Sequence, residues 1–459
     1  MKKTVILLGA LLLFPAPALL SQQKVWTLEE CVKHAIDNNI QIKQQYLQTE
    51  YQKNTLDLSK LKLLPSLNGQ ASHNFSFKRS LDQNAYQYVD KNAQNDQFYL
   101  GGSLNLFSGL QNYNTIKKNE FQLHASEQDL QNIKDNIGLN VAVGYLQILL
   151  NKELVNATAE QLQITRQQIE KTRKLVDAGS SARGNLLQIE SQAAQEEVQL
   201  INLQNQLDIS YLTLTQFLEL KTPAGFEIDA PQISIDTNTL VTGNIDEIFA
   251  LALKNRPEVK SSEMKLSASQ YDLKVAQGGR SPKIALNHSW STMYYNTTKK
   301  VTAYDPVTHM PTAYAPYHFF DQLNDNINYG LGFSMNIPIL NGWQVNKNIS
   351  NSRIAIENSE YTLEGTKKQL YKSIQQAYAD AVAALKKYNA SMKAVISSQE
   401  SFRYSEQKFN VGLVTSVDYN TAKTQLLKAQ SDLAQAKYDF IFKTKVLDFY
   451  KGIPISLPK

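Results

Sequence analysis

The sequence predicts a mixed α and β membrane protein made of two copies of one plan, each copy supplying two membrane strands and one long helical hairpin. Three observations carry that prediction. The two halves align at constant offsets, two long windows lack proline and repeat apolar residues at helical spacing, and four runs of about ten residues alternate apolar with uncharged polar side chains, as a membrane-crossing strand does.

The 459-residue chain opens with Met1-Lys2-Lys3, an apolar run from Val5 to Phe14, and then Pro15-Ala16-Pro17-Ala18-Leu19-Leu20-Ser21. Charged, apolar and small-residue segments in that order read as a secretory signal peptide over residues 1–21, cut after a residue between Ala18 and Ser21. The apolar run is shorter than the roughly 20 residues a spanning helix needs. Losing Lys2 and Lys3 takes the formal charge from +5 to +3, and the remaining charges form no basic stripe, so nucleic acid is not an expected partner. Cys31 is the only cysteine, which excludes an intrachain disulfide. Its place inside a helical pattern, well past the signal, reads as a small buried apolar residue rather than a lipid anchor.

The first copy, residues 22–243, opens WTLEECVKHAIDNNIQIK, and the second, 244–459, opens NIDEIFALALKNRPEVK. Leu28 and Ile245, Glu30 and Glu247, Ala35 and Ala252, Asn38 and Asn255, and Lys43 and Lys260 stand 217 apart, as do Pro65 and Pro282. Thr27 with Glu30, and Asn244 with Glu247, read as helix starts in which the cap oxygen and the third-position carboxylate each satisfy an orphan N–H. Each copy is therefore expected to begin with one helix of about forty residues that ends at its proline.

After a variable middle, Gly109 aligns with Gly342, and an offset of 233 then runs without a gap through Tyr145 with Tyr378, Gly179 with Gly412 and Phe217 with Tyr450. Copy two thus carries 16 more residues, 233 minus 217, between Pro282 and Gly342. So strict a register is the mark of an internal duplication. No proline occurs from Ser66 to Thr222 or from Ile339 to Ile453, and the segments Gly109 to Gly179 and Gly342 to Gly412 are long enough for helices of roughly 100 Å. Apolar residues recur every seven positions, at Ile374, Ala381, Tyr388 and Val395, at Leu426, Leu433, Phe440 and Leu447, and in copy one at Ala193, Leu200, Leu207 and Leu214. Gly179 and Gly412 are then the far tips of two helical hairpins.

Between the helices the period changes to two. Leu67, Ala71, Phe75 and Phe77 alternate with Asn68, Gln70, Ser72 and Asn74; Phe98, Leu100, Leu104 and Leu106 alternate with Gln97, Ser103 and Asn105. Copy two repeats this at Ile284, Leu286 and Trp290, and at Ile327, Tyr329, Leu331, Phe333, Met335 and Ile337. A sheet on a soluble core alternates in the same way, but here the helices pair with one another and leave none to cover the apolar face. Four strands cannot close a barrel, and lipid does not tolerate an open edge, so several chains must supply the strands together. The connections Arg79 to Asn95 and Tyr295 to Asp325, the latter with Pro306, Pro311 and Pro316, are expected to be surface loops.

The opening WTLEECVKHAIDNN, the junctions LFSG and PILNG, and above all FNVGLVTSVDYNTAKTQLLKAQSDLAQAKYDF resemble the TolC family of outer-membrane efflux proteins. The resemblance spans essentially all of the chain beyond the signal. It implies a homotrimer whose twelve strands, four per chain, close one transmembrane β-barrel in the outer membrane lipid of a Gram-negative-type bacterium and continue into a long periplasmic α-helical coiled-coil barrel. It also implies a periplasmic adaptor (membrane fusion protein) and an inner-membrane transporter as partners, with this chain as the passive exit duct of a tripartite efflux system.

Within that family the hairpin tips meet the adaptor, which assigns Gly179, Ser180, Val411, Gly412, Leu413, Val414 and Thr415 to the contact; the alternative is that Val411 and Leu413 pack on their own hairpin. The resemblance also puts Asp418 at an acidic position of the periplasmic pore constriction. Thr421 stands where the family has a second aspartate, and Asn185 at the corresponding acidic position of copy one, so the constriction would carry less charge. Phe409 and Val414 occupy the places of a tyrosine and arginine lock. The alternative for Asp418 and Asn185 is N-capping of the returning helices, which both side chains do well.

The six histidines, at 34, 73, 124, 288, 309 and 318, include no metal-ligand pair at helical spacing. The run YGLGFS lies in a strand and lacks the helix-opening third glycine of a nucleotide fingerprint. No nucleophile elbow or phosphate loop is present, so no enzymatic activity and no cofactor is expected. The same duct serving a type I protein secretion system is an alternative function. A secreted coiled-coil structural or adhesive protein is an alternative of another class, against which the strand alternation weighs.

Overall fold

The computed structural model describes residues 25–82, 87–231, 244–454 and 456; the expected signal peptide lies outside the described residues, as do the last residues of the first copy. Two compact units divide the chain. One holds the described parts of Met1–Lys43, Ile133–Ala252 and Lys372–Lys459, the other those of Gln44–Asn132 and Leu253–Tyr371.

A two-residue strand β1 (Val25–Trp26) leads into α1 (Leu28–Asn38) and α2 (Ile40–Leu61). Thr27 starts α1 as its sequence predicts, its hydroxyl accepting from the Glu30 N–H and the Glu30 carboxylate accepting from the Thr27 N–H, both at 3.2 Å. In copy two, α5 (Ile245–Asn255) begins after Asn244, whose Oδ1 accepts from the Asp246 N–H at 3.2 Å, one residue short of the expected reciprocal bond with Glu247.

The single opening helix expected in each copy is two helices. Asn39 (φ −59°, ψ 132°) separates α1 from α2, and Arg256 (φ −70°, ψ 125°) separates α5 from α6 (Pro257–Gly278). In copy two the cause is Pro257, whose ring disfavours helical backbone at the residue before it. Copy one has no proline there. Asn39 holds the equivalent bend with its side chain, Oδ1 accepting from the Gln41 N–H at 2.9 Å and Nδ2 donating to the Phe217 carbonyl at 3.3 Å.

The strands expected to cross the membrane are β2 (Asn68–Asp82), β3 (Gln87–Phe107), β5 (Lys283–Tyr295) and β8 (Asn328–Asn336), antiparallel in the order β2-β3-β5-β8. The register puts Gly69, Leu100, Trp290 and Tyr329 in one row, and Leu104, Leu286 and Phe333 in another, so the apolar positions share a face. His73 and Asp96 are also on it and hydrogen-bond each other, a polar pair that the alternation passes over. The opposite face is mainly Asn, Gln, Ser and Gly, with Tyr99 and Met293 among them and Lys78 opposite Lys91.

Two expected loops are ordered structure. Of Arg79 to Asn95, residues 79–82 and 87–95 extend the β2–β3 ladder as far as Asp82 opposite Gln87, and 83–86 lie outside the described residues. Tyr295 to Asp325 holds a second hairpin, β6 (Lys299–Tyr304) with β7 (Pro311–Pro316), and a short helix α7 (Phe319–Asp325). Pro311 and Pro316 bound β7, and the end of a strand is where proline is tolerated. α7 closes the β5 edge beyond the end of β8: buried Gln322 accepts from the Tyr295 N–H and donates to the Tyr295 carbonyl, each at 3.0 Å, as a neighbouring strand would.

The hairpins follow the 233 offset. α3 (Gln111–Asp177) and α8 (Gln344–Asn410) have 67 residues each and return as α4 (Arg183–Phe217) and α9 (Ser416–Lys451). Both strand-to-helix junctions carry two consecutive left-handed residues, Gly109 and Leu110 (φ 63° and 60°) and Gly342 and Trp343 (φ 58° and 62°). In the first unit Val141, Tyr145, Ile148, Leu214, Ile374, Ala381 and Leu447 are buried together with Cys31. The Tyr145 hydroxyl donates to the Asp229 carbonyl at 2.6 Å, with Trp26 O at 3.2 Å, which ties β1 and its parallel partner β4 (Glu227–Ile228) to α3. Among the described residues no helix is long and apolar enough to cross a membrane.

Candidate functional site at the hairpin tips

Glycine makes both tips. At Gly412 (φ 77°) the Gly412 N–H donates to Phe409 O at 3.0 Å and the Leu413 N–H to Lys408 O at 2.9 Å. At Gly179 (φ 73°) the Gly179 N–H donates to Val176 O and the Ser180 N–H to Leu175 O, both at 2.9 Å, the same bonds 233 residues earlier. This is the helix-ending motif in which a left-handed residue lets two N–H groups satisfy the last free carbonyls.

The side chains differ. Val411 and Leu413 are 70% and 75% exposed and Val414 is half-buried, so the two knobs face solvent in this chain rather than packing on their own hairpin. Behind them Phe409 stacks on Tyr419 at 4.8 Å between ring centres, with Phe402 5.4 Å away on the same ring. Burial pushes the Tyr419 hydroxyl up to about 12. Phe409, at the place of the family's tyrosine, is thus part of an intrahairpin aromatic stack.

Asp418 and Asn185 are not N-caps. Thr415 caps α9, its hydroxyl accepting from the Asp418 N–H at 3.2 Å and donating to the Asp418 carboxylate at 2.7 Å, while that carboxylate accepts from the Thr415 N–H at 3.2 Å. These bonds, the Thr415 hydroxyl first, hold the Asp418 carboxyl below the usual aspartate range. Ala182 is the N-cap of α4 and offers no side-chain acceptor. Both aspartate and asparagine fall three residues past the cap because each returning helix starts earlier than their chemistry suggests.

Asn185 instead joins the two tips. The buried Ser416 hydroxyl donates to Gln188 Oε1 at 2.6 Å, with Asn185 Oδ1 at 3.3 Å, and Lys171 Nζ donates to Asn410 Oδ1 at 2.9 Å. Exposed Thr421 borders an open groove of about 440 Å³ between α4 and α9, with Gln188, Gln192, Val417 and Lys428. Further along, Lys423 on α9 and Glu196 on α4 are each 3% exposed with Nζ and Oε1 3.2 Å apart, and Thr165 on α3 donates to Glu196 and accepts from Lys423. Burial lowers the Lys423 ammonium from its ordinary value, and Glu196 partly offsets that. The sequence reading missed this cluster, although a signal was present. Glu196 lies three residues after Ala193 and Lys423 three before Leu426, so each puts a charge beside the inward heptad row.

The chain combines long paired helices with a four-stranded sheet that has one apolar face, the pattern of a membrane-embedded subunit. Residues 31–218 and 249–443 match the outer membrane efflux protein family, and the chain belongs to that family. The outer membrane efflux protein BepC of Brucella suis biovar 1 is 20% identical over 346 residues, 74% of this chain and 69% of that protein. The outer membrane protein TolC of Escherichia coli strain K12 is 23% identical over 309 residues, 66% of this chain and 58% of TolC, so this match spans less than two thirds of TolC. A solved structure of CusC, from a study of folding and transmembrane channel formation, superposes with a TM-score of 0.77 over 93% of this chain and 92% of CusC at 17% identity. The protein is accordingly an outer-membrane channel for efflux with a periplasmic helical part, in a family of channels rather than enzymes.

Proposed function

We propose that three copies of this chain close a twelve-stranded barrel in the outer membrane, and that the resulting trimer is the exit duct of a tripartite efflux system. The open sheet carries this reading. Among the described residues both edge strands, β2 and β8, have a strand partner on one side only, and Tyr329, Leu331, Phe333 and Met335 of β8 are exposed. In lipid those edge groups need partners, and further copies of the same sheet supply them. The segments 22–243 and 244–459 then act as two repeats of one plan, which the shared offset and the paired family match support.

A periplasmic adaptor fed by an inner-membrane transporter would meet the tips at Gly179, Ser180, Val411, Gly412, Leu413, Val414 and Thr415. Exposed Val411 and Leu413 support that docking. Asp418, with Thr421 and Asn185, would line the constriction inside the ring of tips. Cross-linking and mass measurement in detergent test the assembly: a heat-modifiable trimer is expected, and a monomer with intact strands would overturn it. For the constriction, Asp418→Asn should lower cation selectivity in planar-bilayer conductance. Unchanged selectivity would mean that the carboxylate serves only the cap. Export of dyes and drugs against export of a protein substrate, measured in a strain lacking the gene, separates this reading from type I secretion.

A further inference from the structure

The short helix α7 stands where β8 would continue. β5 runs outward past Ser291, the last of its residues that β8 covers, and α7 takes the edge that follows. Phe319 packs 4.9 Å from Tyr294 and 6.5 Å from Phe98, Gln322 brackets Tyr295, and Asn326, just past the helix, donates to Met293 O at 2.8 Å. Phe320 is two residues from Gln322, about 200° around a helix of 3.6 residues per turn. It therefore points away from the β5 edge, and it is 79% exposed.

What lies beyond that edge in a ring of copies follows from the repeat. β2 and β5 correspond at the offset of 217 and β3 and β8 at 233, and the pairing obeys both: Asn68 opposite Gly101 becomes Ala285 opposite Ser334. Inside the chain β3 meets β5 with Phe98 opposite Thr292 and Asp96 opposite Tyr294. In a closed ring the same step joins β8 to β2 of the next copy, which sets Leu331 opposite Phe75 and Tyr329 opposite Phe77 of the next copy. All four lie on the apolar face, and in the single chain all four are exposed, Phe77 at 80% and Tyr329 at 76%. β8 ends one residue past Tyr329, at Asn328, whereas β2 runs on to Asp82. α7 then lies beside the outer end of β2 of the next copy, with Phe320 turned toward it.

We infer that α7 is a clasp between chains: Phe320, with Tyr329 below it, closes over Phe75 and Phe77 of β2 in the next copy, at the outer rim of the sheet. The contact buries large rings that each chain leaves exposed, and aromatic pairs add to what burial alone contributes. Copy one has no such device, because the outer part of β3 fills the corresponding place; the segment that is 16 residues longer in copy two supplies it. This inference rests on the ring of copies proposed above.

A double-mutant cycle on the full chain in detergent tests it. Phe320→Ala and Phe77→Ala should each speed dissociation of the trimer by about tenfold. The two together should do no more than either alone, because a single contact is lost once. Val307→Ala, at a residue 85% exposed at the tip of the neighbouring hairpin, should leave the rate unchanged. In a Cys31→Ser background, Phe320→Cys with Phe77→Cys should be joined from chain to chain by a short bismaleimide. Additive effects of the two alanine changes, or trimers that form without that link, would overturn the clasp. So would a nitroxide on the Phe320→Cys variant that meets oxygen far more readily than a water-soluble nickel chelate, since the ring would then lie in lipid. A monomer on mass measurement would instead overturn the ring of copies on which the clasp rests.

Discussion

At Gly179 and at Gly412 the chain makes the same turn with the same pair of backbone bonds, yet the second tip presents Val411 and Leu413 to solvent where the first presents Ala178 and Ser180. The second tip also has a reciprocal cap, Thr415 with Asp418, where the first has Ala182. Turn geometry depends on one glycine and the ends of two helices, so it survives while the side chains around it diverge. The side chains answer to whatever lies beyond the turn. That contrast makes the second tip the more apolar of the two.

The largest effect should come from the buried pair that joins the two hairpins. Lys423→Met alone leaves Glu196 charged and unpaired and should remove about 3–5 kcal/mol of stability, while Lys423→Met with Glu196→Leu should restore most of it. At the equivalent, half-buried place in the other copy, where Glu190 pairs with Arg173 at 3.2 Å, Glu190→Leu should cost no more than about 1 kcal/mol. Denaturant unfolding in detergent reads all three. Equal losses at Lys423 and Glu190 would erase the difference between the hairpins.

Next come the glycines. A Cβ added at Gly179 or Gly412 meets no atom within 4 Å, so only backbone strain is at stake. Gly179→Ala and Gly412→Ala should each cost about 1–2 kcal/mol of local stability. Export should separate the tips: Leu413→Asp is expected to abolish it with assembly intact, and Ser180→Asp to leave most of it. Loss of export in both would mean that the partner reads the two tips alike.

Capping gives a smaller, two-way test. Thr415→Ala should cost about 1 kcal/mol, and Ala182→Ser should gain about 0.5–1 kcal/mol, because Ala182 already has extended cap backbone and lacks only the acceptor. Thermal unfolding should move in opposite directions for the two changes.

The smallest effect is acid sensitivity confined to the second tip. The Asp418 carboxyl is held below its unfolded value, so its stabilisation is complete above the ordinary aspartate range and is lost as pH falls through the lower folded value. Amide exchange at Asp418, normalised to its intrinsic rate, should therefore rise in acid, while that at Asn185 stays level. An equal rise at both would sever the link to the carboxyl.

Much of the fold was legible because its signals are local and repeated. Pro65, Pro282 and the heptad spacing bound the helices, and period-two alternation located all four strands of the main sheet. The break at Asn39 was not legible in the same way, since no proline marks it. Its bend is held by a bond to Phe217, far along the chain. The 299–316 hairpin was hidden by prolines that read as loop and in fact stand at the ends of its second strand. Of the candidate site, the turn glycines and exposed knobs could be read directly, whereas Asp418 was given the wrong position in its cap.

The sequence alone determined the lengths of the long hairpin helices, the tip turns and the strand faces, since each follows from chain stiffness or from periodic burial along a single segment. Only the tertiary structure decided that Glu196, Thr165 and Lys423 meet, that Ser416 reaches across to Gln188, and that Gln322 completes the ladder of Tyr295. Those contacts join residues far apart in sequence. Their energies depend on distance and burial, which no local pattern encodes.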